Sequence, residues 1–98
     1  MTASLRLGTA AQNDVASIRD WYADSLPALD LRFQRELDRV FQQITDFPAG
    51  FPVVYKDVRR AILNRFPYAV FYHRRKDELF VLAITHHARD PLVWKNRR

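Results

Sequence analysis

Six consecutive apolar residues, at positions 79–84, constrain the fold of this chain more than any other segment. Successive side chains of a β-strand point to opposite faces of its sheet. Both alternating sets are apolar here, with Leu79, Val81 and Ala83 in one and Phe80, Leu82 and Ile84 in the other. A strand with two apolar faces is covered on both sides, so residues 79–86 are predicted to form the central strand of a sheet.

The rest of the sheet is predicted from shorter signals. Leu5 and Leu7 alternate with polar residues, as they would in a short first strand. Residues 58–64 and 67–73 are two further extended segments, and the charged run at 74–78 is predicted to be the hairpin turn before the central strand. Strands joined by a tight turn are antiparallel, so the sheet is predicted to be mostly antiparallel.

Two helices are predicted between the first strand and the second. Thr9 and Gln12 have the spacing of a capping box, which marks a helix start. The first helix then carries an apolar stripe of Val15, Ile18 and Tyr22, with Trp21 beside it, down to about Leu26. Pro27 ends this helix and is suited to begin the next. Trp21 and Tyr22 are interpreted as packing residues at the helix–sheet junction, because aromatic side chains bury large areas.

The second helix has the clearest periodicity in the chain. Its apolar face carries Phe33, Leu37, Val40, Phe41, Ile44 and Phe47, and Arg32, Arg35, Glu36, Arg39, Gln42 and Gln43 are set away from that face. It is predicted to end before Pro48, in a loop at 46–52. The predicted class is α+β with the order β-α-α-β-β-β, in which an N-terminal helical hairpin packs on a small, antiparallel-rich sheet. Pro91 is predicted to begin a short C-terminal helix that docks Trp94.

Length and composition limit the class of protein. The 98 residues are expected to form one domain, spanning residues 1–98. The chain has no cysteine, so neither disulfides nor thiolate metal sites are expected. No run of about 18 apolar residues is present, and the first residues do not have the pattern of a signal peptide. We therefore expect a soluble, cytoplasmic protein that does not enter a membrane.

Charge is divided unevenly along the chain. Residues 1–55 contain five Lys/Arg and seven Asp/Glu, a net charge of −2, whereas residues 56–98 contain eleven and four, a net charge of +7. A basic field of this kind attracts nucleic acid, an acidic protein surface or an acidic partner segment, and charge alone does not choose among them. A solvated basic face without a partner is the remaining alternative.

A series of short motifs covers essentially the whole chain. They are Trp21-Tyr22, the helix with Phe33 and Leu37 that ends in Phe47-Pro48, Arg59-Arg60, Phe66-Pro67-Tyr68, Phe71-Tyr72, and His87-Ala88-Arg89-Asp90-Pro91 followed by Trp94. In order and spacing they resemble the RelE/ParE superfamily of type II toxins, and more closely its ParE-like branch. The resemblance implies a small toxin that uses no cofactor and is neutralised by a cognate antitoxin protein, through which most contact with DNA is made.

The two branches of this superfamily differ in their targets. One is similar to ribosome-dependent endoribonucleases that cleave messenger RNA, and the other poisons DNA gyrase and has no known catalytic centre of its own. A metal-independent ribonuclease needs a general base, a general acid and cations on one face. The candidates for these roles are His86, His87, Arg89, Arg60 and Tyr72, with Arg65 and His73 as further candidates.

The ribonuclease pattern is incomplete in this chain. That branch typically carries a lysine-rich element on or before the central strands and a tyrosine near the C terminus. Only Lys56 occurs in the corresponding stretch here, and no tyrosine follows Tyr72. The resemblance therefore favours a non-catalytic inhibitor of DNA gyrase, with a ribosome-dependent endoribonuclease as the alternative.

A second set of residues is predicted to contact the target or the antitoxin: Arg60, Arg65, Arg74, Arg75, Arg89, Trp94 and Arg97. Arg59 and Arg60 are neighbours on a strand and point to opposite faces, which leaves one for a structural role and the other for a partner. His73 is predicted to be a solvated side chain, and His86 or His87 a hydrogen-bonded residue at a strand end. No metal site is predicted, because two adjacent histidines on a strand do not easily converge on one ion.

Overall fold

Helices and strands follow one another in the order β-α-α-β-β-β-β-α in the computed structural model, which describes residues 4–87 and 92–97. The strands are β1 (Ser4–Leu7), β2 (Val53–Tyr55), β3 (Val58–Ile62), β4 (Tyr68–Arg75) and β5 (Glu78–His86). The helices are α1 (Thr9–Ser25), α2 (Pro27–Asp46) and α3 (Leu92–Lys95). A hairpin of two helices therefore packs on a five-stranded sheet, which confirms the predicted α+β class.

The sheet has the strand order β1-β5-β4-β3-β2. β5 lies between β1, to which it is parallel, and β4, to which it is antiparallel. The remaining pairs, β4 with β3 and β3 with β2, are antiparallel. All side chains from Leu79 to Ile84 are buried, so the predicted central strand is confirmed.

The edge strand β2 is not predicted by the sequence. It has only three residues, it directly follows Pro52, and it pairs with β3 alone. A three-residue edge strand is too short to show the alternation of apolar and polar residues that marks longer strands. In the sequence it therefore cannot be distinguished from the loop that precedes it. The observed order therefore contains five strands instead of four.

The turn between β4 and β5 is tighter than the predicted run at 74–78. It consists of Lys76 and Asp77, while Arg74 and Arg75 still belong to β4. Lys76 has a φ of 51°, in the left-handed region that tight hairpin turns use. The longer β4 places both arginines at the exposed end of the hairpin.

A β-bulge interrupts the alternation of β5. Phe71 pairs with Ala83 and Tyr72 with Val81, which makes Leu82 the additional residue. The set that faces the helices is Leu79, Val81 and Ile84, and the opposite set is Phe80, Leu82 and Ala83. The predicted alternation is therefore wrong for the last two residues of the apolar run, because the bulge exchanges their faces.

The helix ends follow local rules that the sequence predicts only in part. Gly8 is the N-cap of α1 and makes no side-chain hydrogen bond, so the predicted Thr9 capping box is wrong. The Gln12 amide instead donates to the carbonyl oxygen of Leu7 at 3.0 Å. Pro27 begins α2, as predicted.

None of the described helices is long and apolar enough to cross a membrane.

The buried residues form one cluster on each face of the sheet. The helix-side cluster includes Ile18, Tyr22, Phe33, Leu37, Val40 and Ile44 from the helices and Ala61, Val70, Tyr72, Leu79, Val81 and Ile84 from the sheet. The outer cluster contains Val58, Ala69, Phe71, Phe80, Leu82, Ala83 and Trp94. We call the corresponding sides of the sheet its helix face and its outer face.

Two aromatic residues that are predicted to pack are exposed instead. Trp21 is 61% exposed and Phe47 is 69% exposed. Trp21 and Tyr22 are neighbours on α1 and point in directions about 100° apart, so only Tyr22 faces the sheet. Phe47 follows the last helical residue, and its backbone is no longer helical, with φ of −137° and ψ of 68°. It therefore no longer lies on the apolar stripe of α2.

Candidate functional site

Arg59 and Arg60 lie side by side on β3 and point to opposite faces of the sheet, as predicted. Arg59 is opposite Tyr72 on the helix face, and its Nη1 donates to the carbonyl oxygen of Phe51 at 2.6 Å. Arg60 is opposite Phe71 on the outer face, and its buried Nε has no hydrogen-bond partner among the described residues. Arg59 therefore has the structural role, and Arg60 is the member of the pair that stays a candidate for partner contact.

Tyr72 lies in the core instead of at a surface. Its side chain is 1% exposed, and its hydroxyl donates to the carbonyl oxygen of Pro48 at 2.7 Å. Burial raises the pKa of the hydroxyl to about 12, and the nearby Arg59 charge opposes this shift only in part. The phenol thus ties the loop after α2 to the sheet, and it is not placed to donate a proton to an external substrate.

The raised pKa of Tyr72, about 12 in the folded protein against 10.0 ordinarily, predicts a loss of stability in alkaline solution. The stabilisation is complete below pH 10 and is lost as the pH rises towards 12, because the unfolded chain releases this proton first. The free energy of unfolding, measured by urea denaturation across this range, should fall by up to about 1.4 kcal/mol per pH unit. Tyr72→Phe should fall less steeply, and equal slopes for the two proteins would contradict the assignment.

The two histidines at the end of β5 lie in different surroundings. His86 is half-buried opposite Tyr68, with the ring centroids 6.0 Å apart. It lines a groove of about 480 Å³ between α1 and β5, together with Trp21 and Asp14. His87 is exposed. Of these two histidines, His86 is the one that lines a concave surface. Arg89 falls outside the described residues.

His73 is buried, so the prediction of a solvated side chain is wrong. It is 6% exposed, its ring meets the edge of Phe80 at a centroid distance of 6.0 Å, and its Nδ1 lies 3.4 Å from the Asp57 carboxylate. The reason is that β4 continues to Arg75, which places His73 inside the strand instead of beside the turn.

Nowhere in the described part of the chain do three or more potential metal ligands gather around one point.

Trp94 and Arg97 attach the C-terminal segment to the rest of the protein. Trp94 is 4% exposed and stacks on Phe71 with the ring centroids 4.6 Å apart. Arg97 donates to the Asp14 carboxylate at 2.6 Å and to the carbonyl oxygen of Leu82 at 3.3 Å. The predicted docking of Trp94 is confirmed, and partner contact by Trp94 and Arg97 stays a prediction, because both side chains are engaged within the chain.

Arg74 and Arg75 form an exposed basic tip at the end of the β4–β5 hairpin. The guanidinium of Arg75 lies 3.9 Å from the ring centroid of Phe80, a cation–π contact. Arg6 lies over the same ring at 5.6 Å and is 3.7 Å from the Glu78 carboxylate. The tip therefore stays a candidate for partner contact, with Arg75 partly held by the aromatic ring.

A second concave surface lies between α2 and the loop that joins β3 to β4. We call it the arginine cleft: its basic residues are Arg32, Arg35, Arg39 and Arg65, and its other lining residues are Tyr22, Leu29, Glu36, Asn64 and Phe66. Its volume is about 650 Å³. The cleft combines a basic rim with apolar side chains, whereas the groove beside His86 has no basic residue other than the histidine itself.

A single carboxylate, Glu36, lies inside the arginine cleft. It accepts hydrogen bonds from Nε and Nη2 of Arg39, at 2.7 and 2.8 Å, and from the backbone N–H of Asn64. The bonds from Arg39 are the main reason that the pKa of Glu36 is lowered, although burial acts in the opposite direction. Glu36 therefore stays ionised and pairs with Arg39, and the charge of Arg65 also acts on it. Arg32 and Arg35 have no ion pair with a described residue.

Sequence reasoning identifies only Arg65 of this cleft as a candidate. Arg32, Arg35 and Arg39 belong to the acidic half of the sequence, where they read as the solvent-facing side of α2. Their spacing of i, i+3 and i+7 does place them along one side of the helix, so part of the signal is present in the sequence. The position of the β3–β4 loop, which brings Arg65 beside them, is a tertiary feature.

Comparison with known proteins agrees with this architecture. Residues 5–91 match the family model described as the ParE toxin of type II toxin-antitoxin system, parDE. The chain is 28% identical over 92 residues to Toxin ParE2 of Mycobacterium tuberculosis, in strains CDC 1551 / Oshkosh and ATCC 25618 / H37Rv, which covers 93% of this chain and 88% of the relative. A solved structure from the chromosomal ParDE TA system of P. aeruginosa has a TM-score of 0.76 at 22% identity, over 87% of this chain and 96% of that one.

Proposed function

The chain belongs to the ParE toxin family of type II toxin–antitoxin systems, and on that premise we propose that it poisons DNA gyrase and is neutralised by a cognate antitoxin protein. The toxin inhibits gyrase in this proposal by binding to it, without a catalytic centre on the toxin and without a cofactor. Contact with DNA is assigned mainly to the antitoxin.

This proposal rests on the positions of the candidate catalytic side chains, which lie on different faces of the sheet. Tyr72 and His86 lie on the helix side of the sheet, whereas Arg60 lies on its outer face. The Tyr72 hydroxyl is already bonded to the Pro48 carbonyl. A metal-independent ribonuclease must bring a base, an acid and a cation within reach of one phosphate. Tyr72, His86 and Arg60 do not converge in this way, which favours inhibition by binding.

Surface charge supports an acidic partner. The chain has a net charge of +5, and exposed arginines lie in the arginine cleft and at the hairpin tip. An acidic, amphipathic segment that becomes ordered on binding buries apolar groups and pairs charges in the same step. We expect a 1:1 toxin–antitoxin complex to form before any larger assembly, and the complex to be more stable than the free toxin.

Toxicity is expected to survive loss of the strand-end histidines. His86→Ala and His87→Ala remove the candidate general base and acid, which would cost a ribonuclease about 100-fold or more in activity. For a toxin that acts by binding gyrase, both variants should still arrest growth when expressed from an inducible promoter. Thermal unfolding of the purified variants is the control for folding.

A translating ribosome extract separates the two branches of the superfamily. Primer-extension mapping of the message is expected to show no toxin-dependent cleavage. In a parallel assay with purified gyrase and DNA, the same toxin preparation is expected to stabilise gyrase–DNA breaks. Message cleavage that disappears in His86→Ala or His87→Ala would instead establish an endoribonuclease.

A further inference from the structure

Two arginines on the outer face of the sheet share one aromatic ring. The guanidiniums of Arg6, on β1, and Arg75, at the end of β4, lie 5.6 and 3.9 Å from the ring centroid of Phe80. Phe80 is 8% exposed, so its ring is held in the sheet beneath them. A cation–π contact restrains a guanidinium but does not cancel its charge. Both arginines are exposed, so their charges stay accessible to a partner.

Two lysines contact a second ring on the same face. The ammonium groups of Lys56, between β2 and β3, and Lys95, in α3, lie 5.4 and 4.5 Å from the ring centroid of Tyr55. Tyr55 packs against the outer cluster, and its ring centroid lies 5.8 Å from that of Trp94. Neither lysine forms an ion pair with a described residue. These two charges are therefore also positioned by an aromatic ring without being neutralised by it.

Arg60 lies on the same face and has an unused donor. It is opposite Phe71 on β4, and its buried Nε makes no hydrogen bond with a described residue. An unsatisfied buried donor is costly, and an oxygen acceptor supplied to this guanidinium by a partner would offset the cost. We call the five cations of this face the outer basic surface: Arg6, Lys56, Arg60, Arg75 and Lys95.

Two carboxylates lie beside the outer basic surface. Glu78 is 3.7 Å from the guanidinium of Arg6, and Asp57 is 3.4 Å from Nδ1 of the buried His73. Two negative charges do not balance five positive ones, so this side of the sheet keeps an excess of positive charge. Such an excess favours an anionic partner.

The apolar side chains of the outer face are mostly covered already. Phe71, Leu82 and Trp94 are 5%, 1% and 4% exposed, although Ile62 remains 52% exposed. An amphipathic protein segment would therefore find little apolar surface to bury here, whereas a phosphate backbone needs only cations and hydrogen-bond donors. Guanidiniums match the geometry of phosphate oxygens, and duplex DNA carries one negative charge per about 1.7 Å of its axis.

We propose that the outer basic surface contacts the phosphate backbone of the duplex DNA that gyrase holds, an inference that rests on the proposed function. A toxin that touches both the enzyme and its DNA binds their complex more tightly than it binds gyrase alone, and it therefore stabilises that complex. Phosphate contacts carry no sequence information, so the toxin is expected to act at many cleavage sites. The antitoxin keeps its assigned role as the main contact with DNA outside the gyrase complex.

The test compares two neutralised pairs of arginines in the full-length toxin. Arg60→Gln with Arg75→Gln changes the outer basic surface, and Arg32→Gln with Arg35→Gln changes the arginine cleft by the same net charge. The probe is a short, blunt-ended DNA duplex of mixed sequence, and fluorescence anisotropy measures affinity over a range of salt concentrations. At about 0.1 M salt we expect the first variant to bind at least about 10-fold more weakly and the control less than about twofold. The slope of log affinity against log salt should decrease by about 2 in the first variant alone.

A second variant of the same surface guards against a folding defect at the half-buried Arg60. Lys56→Gln with Lys95→Gln should also weaken duplex binding by about 10-fold, and thermal unfolding checks both variants. In the gyrase cleavage assay, each outer-surface variant should need about 10-fold more toxin than the unchanged protein for half-maximal DNA breakage. The cleft control should need about the same amount as the unchanged protein.

Failure of this inference is distinguishable from failure of the proposed function. Equal losses of duplex affinity in the outer-surface and cleft variants would overturn the assignment, because net charge alone would then explain binding. Gyrase poisoning that is unchanged in both outer-surface variants would also overturn it and would leave the proposed function standing. Poisoning absent from the unchanged toxin would overturn both. Polyglutamate that displaces the duplex as well as unlabelled DNA does, at equal charge, would assign the surface to an acidic protein instead.

Discussion

Phe33→Ala is expected to lower the free energy of unfolding by about 3–5 kcal/mol. The Phe33 side chain is 0% exposed, and its ring lies within 6 Å of the rings of Tyr22, Phe66 and Tyr68 at 5.9, 5.6 and 5.8 Å. Alanine would leave a cavity between α2 and the sheet, and urea denaturation would measure the loss. Because small domains are stable by only about 5–15 kcal/mol, the variant should be close to unfolding.

The matched control is Phe47→Ala, another phenylalanine of the same predicted apolar stripe. It is 69% exposed, so its replacement should change the free energy of unfolding by less than about 0.5 kcal/mol. Similar losses for the two variants would mean that the helical hairpin does not pack on the sheet as described.

Trp94→Ala is expected to cost about 3 kcal/mol or more, because the indole is 4% exposed and stacks on Phe71. Without it, α3 loses its stacked contact with the outer face of the sheet. Chemical denaturation followed by circular dichroism would give the change in stability.

The chain contains two tryptophans, so the other serves as the control and as a spectroscopic probe. Trp21 is 61% exposed, and Trp21→Ala should leave stability nearly unchanged. In Trp21→Ala the remaining fluorescence comes from Trp94 and should resist quenching by acrylamide, whereas in Trp94→Ala it comes from Trp21 and should be quenched readily. Equal quenching of the two variants would contradict the docking of Trp94.

Periodicity predicts this fold where the backbone keeps ideal geometry. The stripe of α2 is buried at Phe33, Leu37, Val40 and Ile44, and it fails at Phe47 because the helix ends one residue earlier. Alternation in β5 holds up to the bulge at Leu82 and fails beyond it. A bulge and a helix end depend on pairing partners that are distant in sequence, so local patterns do not locate them.

Site residues were harder to predict than secondary structure because charge is informative only after its position in the fold is known. His73 and Arg97 look like surface groups in the sequence but make contacts within the chain. The arginines of α2 look like an ordinary solvated face until the β3–β4 loop places Arg65 beside them. The basic residues of the arginine cleft come from both halves of the sequence, so the net charge of each half does not predict that they lie together.

The most direct measurement is DNA cleavage by purified gyrase on supercoiled plasmid, with the toxin and increasing amounts of antitoxin. Broken DNA is expected to accumulate only when gyrase and toxin are both present, and about one antitoxin per toxin should abolish the effect. Unchanged gyrase activity at saturating toxin, from a preparation that still arrests growth when expressed in cells, would contradict gyrase as the target.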